Sequence, residues 1–216
     1  MELTQTERLV QSLAAQLQPV RRLRPPAQRA AAWLAVVATV LLVAILCFAN
    51  LGVFVRRMSS PRTALECAAT ALTAITAVIA AFEVSVPDGS PRWAWLPLPS
   101  LLVWLGAGGL GCLRNGVSLH GPDGPLGDSP SCFSFIAGLS VPLAAGLFWM
   151  LRRARPIAPL PVALLGTLGV AATAAFVLQF FHPFDVTVID LSLHLGAIGL
   201  VIAVGAALRR PLLSAQ

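Results

Sequence analysis

Six apolar runs, each close to the length of a bilayer crossing, set the terms for any fold of this chain. Crossing the hydrocarbon takes about 20 residues of helix. Lipid offers nothing to an unpaired backbone N–H or C=O, so each run is expected to close its own hydrogen bonds as a helix. The spans are placed at about 30–54, 63–82, 94–113, 132–151, 158–181 and 187–208. The links between them are short: RRMSSP at 56–61, the stretch 87–91, RRARP at 152–156 and HPFD at 182–185, so successive spans are expected to run antiparallel. Composition agrees. The 216 residues are 57% hydrophobic and 11% charged, whereas a soluble domain is about 25% charged. The expected fold class is therefore an all-α integral membrane protein, a six-transmembrane-helix bundle with a short amphipathic N-terminal cytoplasmic helix. Its expected parts are a head at 1–29, a membrane domain at 30–208 and a tail at 209–216.

Arginine gives the orientation, since the chain contains no lysine and its +6 charge rests on arginine. With the N-terminus inside, the inner ends carry eleven arginines: five in the head, then Arg92, Arg152, Arg153, Arg155, Arg209 and Arg210. Arg56, Arg57, Arg62 and Arg114 fall outside. The excess of arginine on cytoplasmic loops predicts that both termini are cytoplasmic, with Trp33, Trp93, Trp95 and Trp149 at the inner interface. The Arg56-Arg57 pair runs against that trend. Basic residues at the ends of apolar runs read as topology signals rather than nucleic-acid contacts. A cleaved secretory signal would place its apolar region nearer Met1, so the first run is read as an uncleaved span.

The head has its own helix signal. Thr4 and Glu7 have capping-box spacing, a hydroxyl covering a free N–H and a carboxylate reaching back. Leu9, Val10, Leu13 and Leu17 follow at helical spacing, with Arg8, Gln11, Ser12 and Gln18 mostly opposite. Pro19 and Arg24-Pro25-Pro26 end the pattern, because proline disfavours helix in the residue before it. A helix at about 5–18 is expected, then a stiff basic linker. Alone in water so short a helix is marginal, so it needs a surface.

Residues 111–132, GCLRNGVSLHGPDGPLGDSPSC, form the longest polar interruption in the later part of the chain, with Cys112 and Cys132 at its edges. Cys47 and Cys67 also fall toward the outer side. In an oxidising outer compartment disulfides persist, and ends of neighbouring helices can bring Cα atoms within bridging range. Three readings stay open for Cys112 and Cys132: a structural staple, a redox or soft-metal sensing pair, or unpaired thiols. His182, Asp185, Asp190 and His194 surround the start of the last span, and Glu66 lies near the outer end of the second. Ionisable groups at membrane depth are functional candidates or polar locks between helices. Thiolates with imidazoles suit a soft cation, yet there is no CxxC and no compact ligand spacing, so no metal site is firmly expected. No GxSxG, HExxH or phosphate-cradling glycine–lysine motif is present. GAGGLG at 106–111 lies inside a span, where glycines serve close packing.

The head LVQSLAAQLQPVRRLRPP, WAWLPLP at 93–99, the GCLR and SCF edges of the loop, FHP at 182 and HLG at 194–196 resemble the NrsF-type negative regulators. These are six-span anti-sigma factors of the bacterial inner membrane that restrain an extracytoplasmic-function sigma factor. The likeness covers nearly the whole chain. It implies a cytoplasmic head that engages the sigma factor, and two outward-facing cysteines, by position Cys112 and Cys132, tied to metal or oxidative stress. Cys47 and Cys67 lie outside that pattern. On this reading Leu9, Leu13 and Leu17 fill a groove on the sigma factor, with Arg21 and Arg22 beside them on acidic groups. The partners are then the sigma factor, the lipid bilayer and a transient soft-metal ligand, with no cofactor, no enzyme activity and no direct nucleic acid. Two rival readings are a membrane thiol/quinone oxidoreductase, against which the missing CxxC counts, and a small transporter built on Asp190 and His194, against which the apolar inner halves of the spans count.

Overall fold

The computed structural model describes residues 4–16, 23–49, 51–115, 129–181 and 188–213; side chains at 110–115, 129–132, 188–191, 193 and 194 are left out of the description. Among the described residues the chain is helical, with no strand.

The first helix, α1 (Gln5–Ala15), begins where its capping box predicts. The Thr4 backbone N–H donates to the Glu7 carboxylate at 2.7 Å, and the Glu7 N–H donates to the Thr4 hydroxyl at 3.3 Å. Its end comes a few residues before the expected 18. The Gln16 N–H bonds the Leu13 carbonyl, a tightened last turn that closes the helix. Pro26 opens α2 (Pro26–Phe48) at the position where its missing N–H costs nothing. Thus α2 starts before residue 30 and takes in Arg29, which the sequence reading had left in the head.

One expectation needs correcting. The first span does not run on to 54: Ala49 turns extended (φ −86°, ψ 145°) and α2 stops at Phe48. A separate short helix, α3 (Leu51–Met58), follows, so Arg56 and Arg57 lie in a helix and not in a bare link. Asn50 and Gly52 are poor helix formers, which weakens the run at that point. Tertiary contacts then hold α3. Phe54 stacks on Phe180 with ring centroids 4.2 Å apart, and Arg57 Nη1 donates to the Gln179 carbonyl at 3.3 Å.

The remaining elements follow the expected order. Pro61 starts α4 (Pro61–Val84). Thr70, Thr73 and Thr76 return their hydroxyls to carbonyls one turn back, which suits threonine to an apolar setting. A 3₁₀ turn at Pro91–Trp95 leads to α5 (Leu98–Asn115), tied to α4 by a 3.1 Å bond between the Thr73 and Ser100 hydroxyls. Beyond lie α6 (Ser129–Leu151), which holds Pro142, a 3₁₀ turn at Arg152–Ala154, α7 (Pro159–Phe181), α8 (Val188–Ala207) and the short α9 (Arg209–Leu213).

Helix α7 is the axis of the bundle. Leucine, valine, alanine and glycine cover it all round, the pattern of a helix enclosed by others, and it packs on α4, α6 and α8. Gly169 sets the α4–α7 approach, because a Cβ there would meet the Val78 Cγ2 at 2.7 Å and the Val78 backbone nitrogen at 3.2 Å. One core cluster joins Trp33, Val78, Phe82, Leu147, Leu151 and Leu213. The starts of α2 and α7 therefore share one end of the bundle with the ends of α4 and α6 and with α9, as an antiparallel arrangement requires. A second cluster, Ile136, Ala174, Leu178 and Ala197, joins α6, α7 and α8 farther along.

Outside this core the helices turn large apolar side chains outward, among them Val36, Val40 and Leu46 on α2, Leu72 on α4 and Val141 on α6. Water would penalise such a surface, whereas a bilayer would solvate it. Four helices, Pro26–Phe48, Pro61–Val84, Phe133–Ala154 and Pro159–Phe181, are long and apolar enough to cross a membrane by length and composition. Helices α5 and α8 fall where the other two spans were expected, but they are not among those four, and their side chains are described only in part.

Candidate functional site

Two places carried the functional expectations: the head and the loop edges. In the head, every described residue of α1 is exposed. Leu9 is 58% exposed and Leu13 56%, so the stripe stands clear of the bundle and nothing among the described residues covers it. Val10 joins it at 59%. The Thr4 backbone N–H and hydroxyl hold the Glu7 carboxyl below its usual range, so the cap carries a negative charge at the helix start, where the dipole favours it. Leu17, Arg21 and Arg22 lie outside the described residues.

At the other end, Cys112 lies on the last turn of α5 and Cys132 on the first turn of α6, while their side chains and the loop at 116–128 lie outside the described residues. Helix α5 packs mainly on α4 and also touches α8, whereas α6 packs on α7 and α8. The two cysteine-bearing ends thus belong to helices with different main partners, with α8 touching both. Asp190 and His194 occupy the first turns of that same α8, one turn apart, and their side chains too are outside the description; His182 and Asp185 are outside it altogether. Glu66 is half-buried on α4, and its carbonyl accepts the Thr70 hydroxyl. Beside it the Cys67 thiol is buried, while Cys47 on α2 is exposed, and both are free of any disulfide. Among the described residues no group of three His, Cys, Asp or Glu side chains is placed to hold a metal ion.

The sequence reading missed Arg29. It counted as one of five head arginines, yet its side chain is 6% exposed. One guanidinium nitrogen donates to the Met150 carbonyl at the end of α6, and the guanidinium carbon lies 5.0 Å from the Phe82 ring centroid. The available signal was helical phase, because Arg29, Trp33 and Val37 lie on one face of α2 and all three are buried.

The model of a family described as negative regulators of sigma F, NrsF, matches residues 13–214. The chain belongs to the NrsF family. No curated protein and no solved structure gives a match. The NrsF match starts at Leu13, inside α1, and takes in the whole helical bundle through α9. Membership makes the chain one of a family of negative regulators of a sigma factor. The NrsF match includes Leu13 and Leu17 of the stripe but not Leu9 or Val10.

Proposed function

We propose that this chain is a membrane-anchored anti-sigma factor that sequesters an extracytoplasmic-function sigma factor on its head. The observation that carries this reading is the exposed stripe of α1, set beside the family's role. A capped amphipathic helix left uncovered by the described residues is suited to a groove on a partner. Leu9 and Leu13, continued by Leu17, are the anchors, and Arg21 and Arg22 contact acidic groups at the rim. The bundle crosses a bacterial inner membrane six times, α5 and α8 joining the four long apolar helices as the third and sixth spans, with both chain ends in the cytoplasm. Release follows a change at the outer mouth, where Cys112 and Cys132, as a disulfide or as thiolates on a soft metal helped by His182 or His194, bias the packing of α6. That helix ends beside Arg29 and the start of α2, so a shift along it reaches the segment that leads from the head.

Burying one leucine contributes about 1.5–3 kcal/mol. Leu13→Asp should therefore weaken retention of the sigma factor by more than tenfold when the detergent-solubilised protein is captured, with membrane levels unchanged. Retention equal to the parent's would move the stripe from the sigma factor to the membrane surface, which basic neighbours also favour. For the sensing step, Cys112→Ser and Cys132→Ser should each abolish the induction of sigma-dependent transcription by oxidant or cadmium. A parental response in both variants would take the sensor away from this pair.

A further inference from the structure

At the end of the bundle that holds Trp33 and Phe82, two arginines lie near the last turn of α6 with no acid paired to them among the described residues. Arg29 is the buried one. Its Nη2 donates to the Met150 carbonyl and its plane lies by Phe82, but Nη1 is enclosed and meets no acceptor. Arg153, one turn beyond Met150, is exposed and lies over the Trp149 ring, its guanidinium carbon 3.9 Å from the centroid. The Arg153 charge acts on Arg29, and no carboxylate among the described residues pairs with either. Two like charges at one end of the bundle, one with an unmet buried donor, make an arrangement that costs free energy unless an anion joins it.

The surroundings say which anion. Val141, Ala145, Trp149 and Arg153 fall at successive four-residue steps on α6 and its 3₁₀ extension, and all four are exposed. An apolar stripe thus runs along the outside of the bundle and ends in a cation. Trp149, 49% exposed, marks the level where tryptophan meets headgroups, and Trp93 and Trp95 lie exposed on the 3₁₀ turn that follows α4 at the same end. A free phosphate would need only the two guanidinium groups and would have no use for the stripe. We propose that Arg29 and Arg153 form a site for the phosphate of an anionic phospholipid, whose acyl chain lies along the Val141–Ala145–Trp149 stripe. Guanidinium pairs bind phosphate oxygens through short charge-assisted bonds, and basic corners between spans are where anionic headgroups lodge. The inference needs only that the bundle sits in a bilayer, and it stands whether or not α1 binds a sigma factor.

The test places the full chain in nanodiscs of phosphatidylcholine alone or mixed with phosphatidylglycerol, and follows amide exchange at 26–33 and 147–155 with the thermal midpoint. The parent should exchange several-fold more slowly at both segments, and melt higher, in the mixed lipid. Arg153→Met, an exposed change that leaves the core intact, should erase that difference, as should Arg29→Met if it folds, while Arg92→Met at the same end should keep it. A parent indifferent to lipid charge would overturn the site, and so would a difference that survives Arg153→Met or is lost equally in Arg92→Met. If inorganic phosphate added to phosphatidylcholine discs reproduces the whole effect, the ligand is a free anion and the lipid assignment fails.

Discussion

Helices α1 and α7 mark the extremes of this molecule. Both are rich in leucine and alanine, yet α7 is buried along most of its length and α1 nowhere. The difference lies in how polar residues are interleaved. From Pro159 to Phe181 there is no charged residue, and the threonines at 167 and 173 bond back to their own helix. Such a helix has no polar face for water and is enclosed by neighbours along most of its length. In α1, Glu7, Arg8, Gln11 and Ser12 break the apolar set into a single stripe. A stripe buries against one surface only, and none of the described residues offers one. One helix is enclosed by the bundle and the other stands outside it.

The largest expected break in this contrast comes from α7. A leucine at Gly169 would drive side-chain atoms into Val78 and its backbone, and overpacking of this kind costs about 1–3 kcal/mol, occasionally more. Gly169→Leu should lower the thermal midpoint of the solubilised protein and raise amide exchange across α4 and α7. No residue of α1 should have that effect on the bundle, since none touches it closely enough to be buried. A smaller effect is expected at the cap of α1. Thr4→Ala removes the hydroxyl that accepts the Glu7 N–H, a loss worth about 1 kcal/mol of helix stability. Exchange at 5–15 should quicken several-fold with α7 unchanged. The smallest effect is on pH. Because Glu7 has a folded value below its unfolded one, its contribution is fully present above the ordinary glutamate range and is lost as pH falls through the lowered value. Acidification should therefore loosen α1, whereas α7, with no titratable side chain, should not respond.

Much of this was legible in the sequence because it rests on period and length. The apolar runs located five of the six long helices to within about four residues at each end, α2 being the exception, and Thr4 with Glu7 located the start of α1 to the residue. What the sequence hid depends on partners distant in the chain. Nothing near Ala49 shows that Phe54 and Arg57 will find Phe180 and Gln179, so the break between α2 and α3 was missed. In composition Arg29 looks like its neighbours Arg21, Arg22 and Arg24; only its helical phase with Trp33 and Val37 set it apart, because its partners, the Met150 carbonyl and the Phe82 ring, lie far along the chain. The short link at 87–91 implied that α4 and α5 are neighbours, as their packing shows, whereas the longer stretch between α5 and α6 gave no such guide. The cysteine pair was legible as a spacing, while its geometry lies outside the described residues.

Amide exchange on the full chain in nanodiscs, with and without the purified sigma factor, tests most directly whether the head serves an outside partner. The account predicts fast exchange over Gln5–Ala15 in the free protein, strong slowing there when the sigma factor is added, and slow exchange in α7 under both conditions. An α1 already protected in the free protein, and unchanged by the sigma factor, would contradict it.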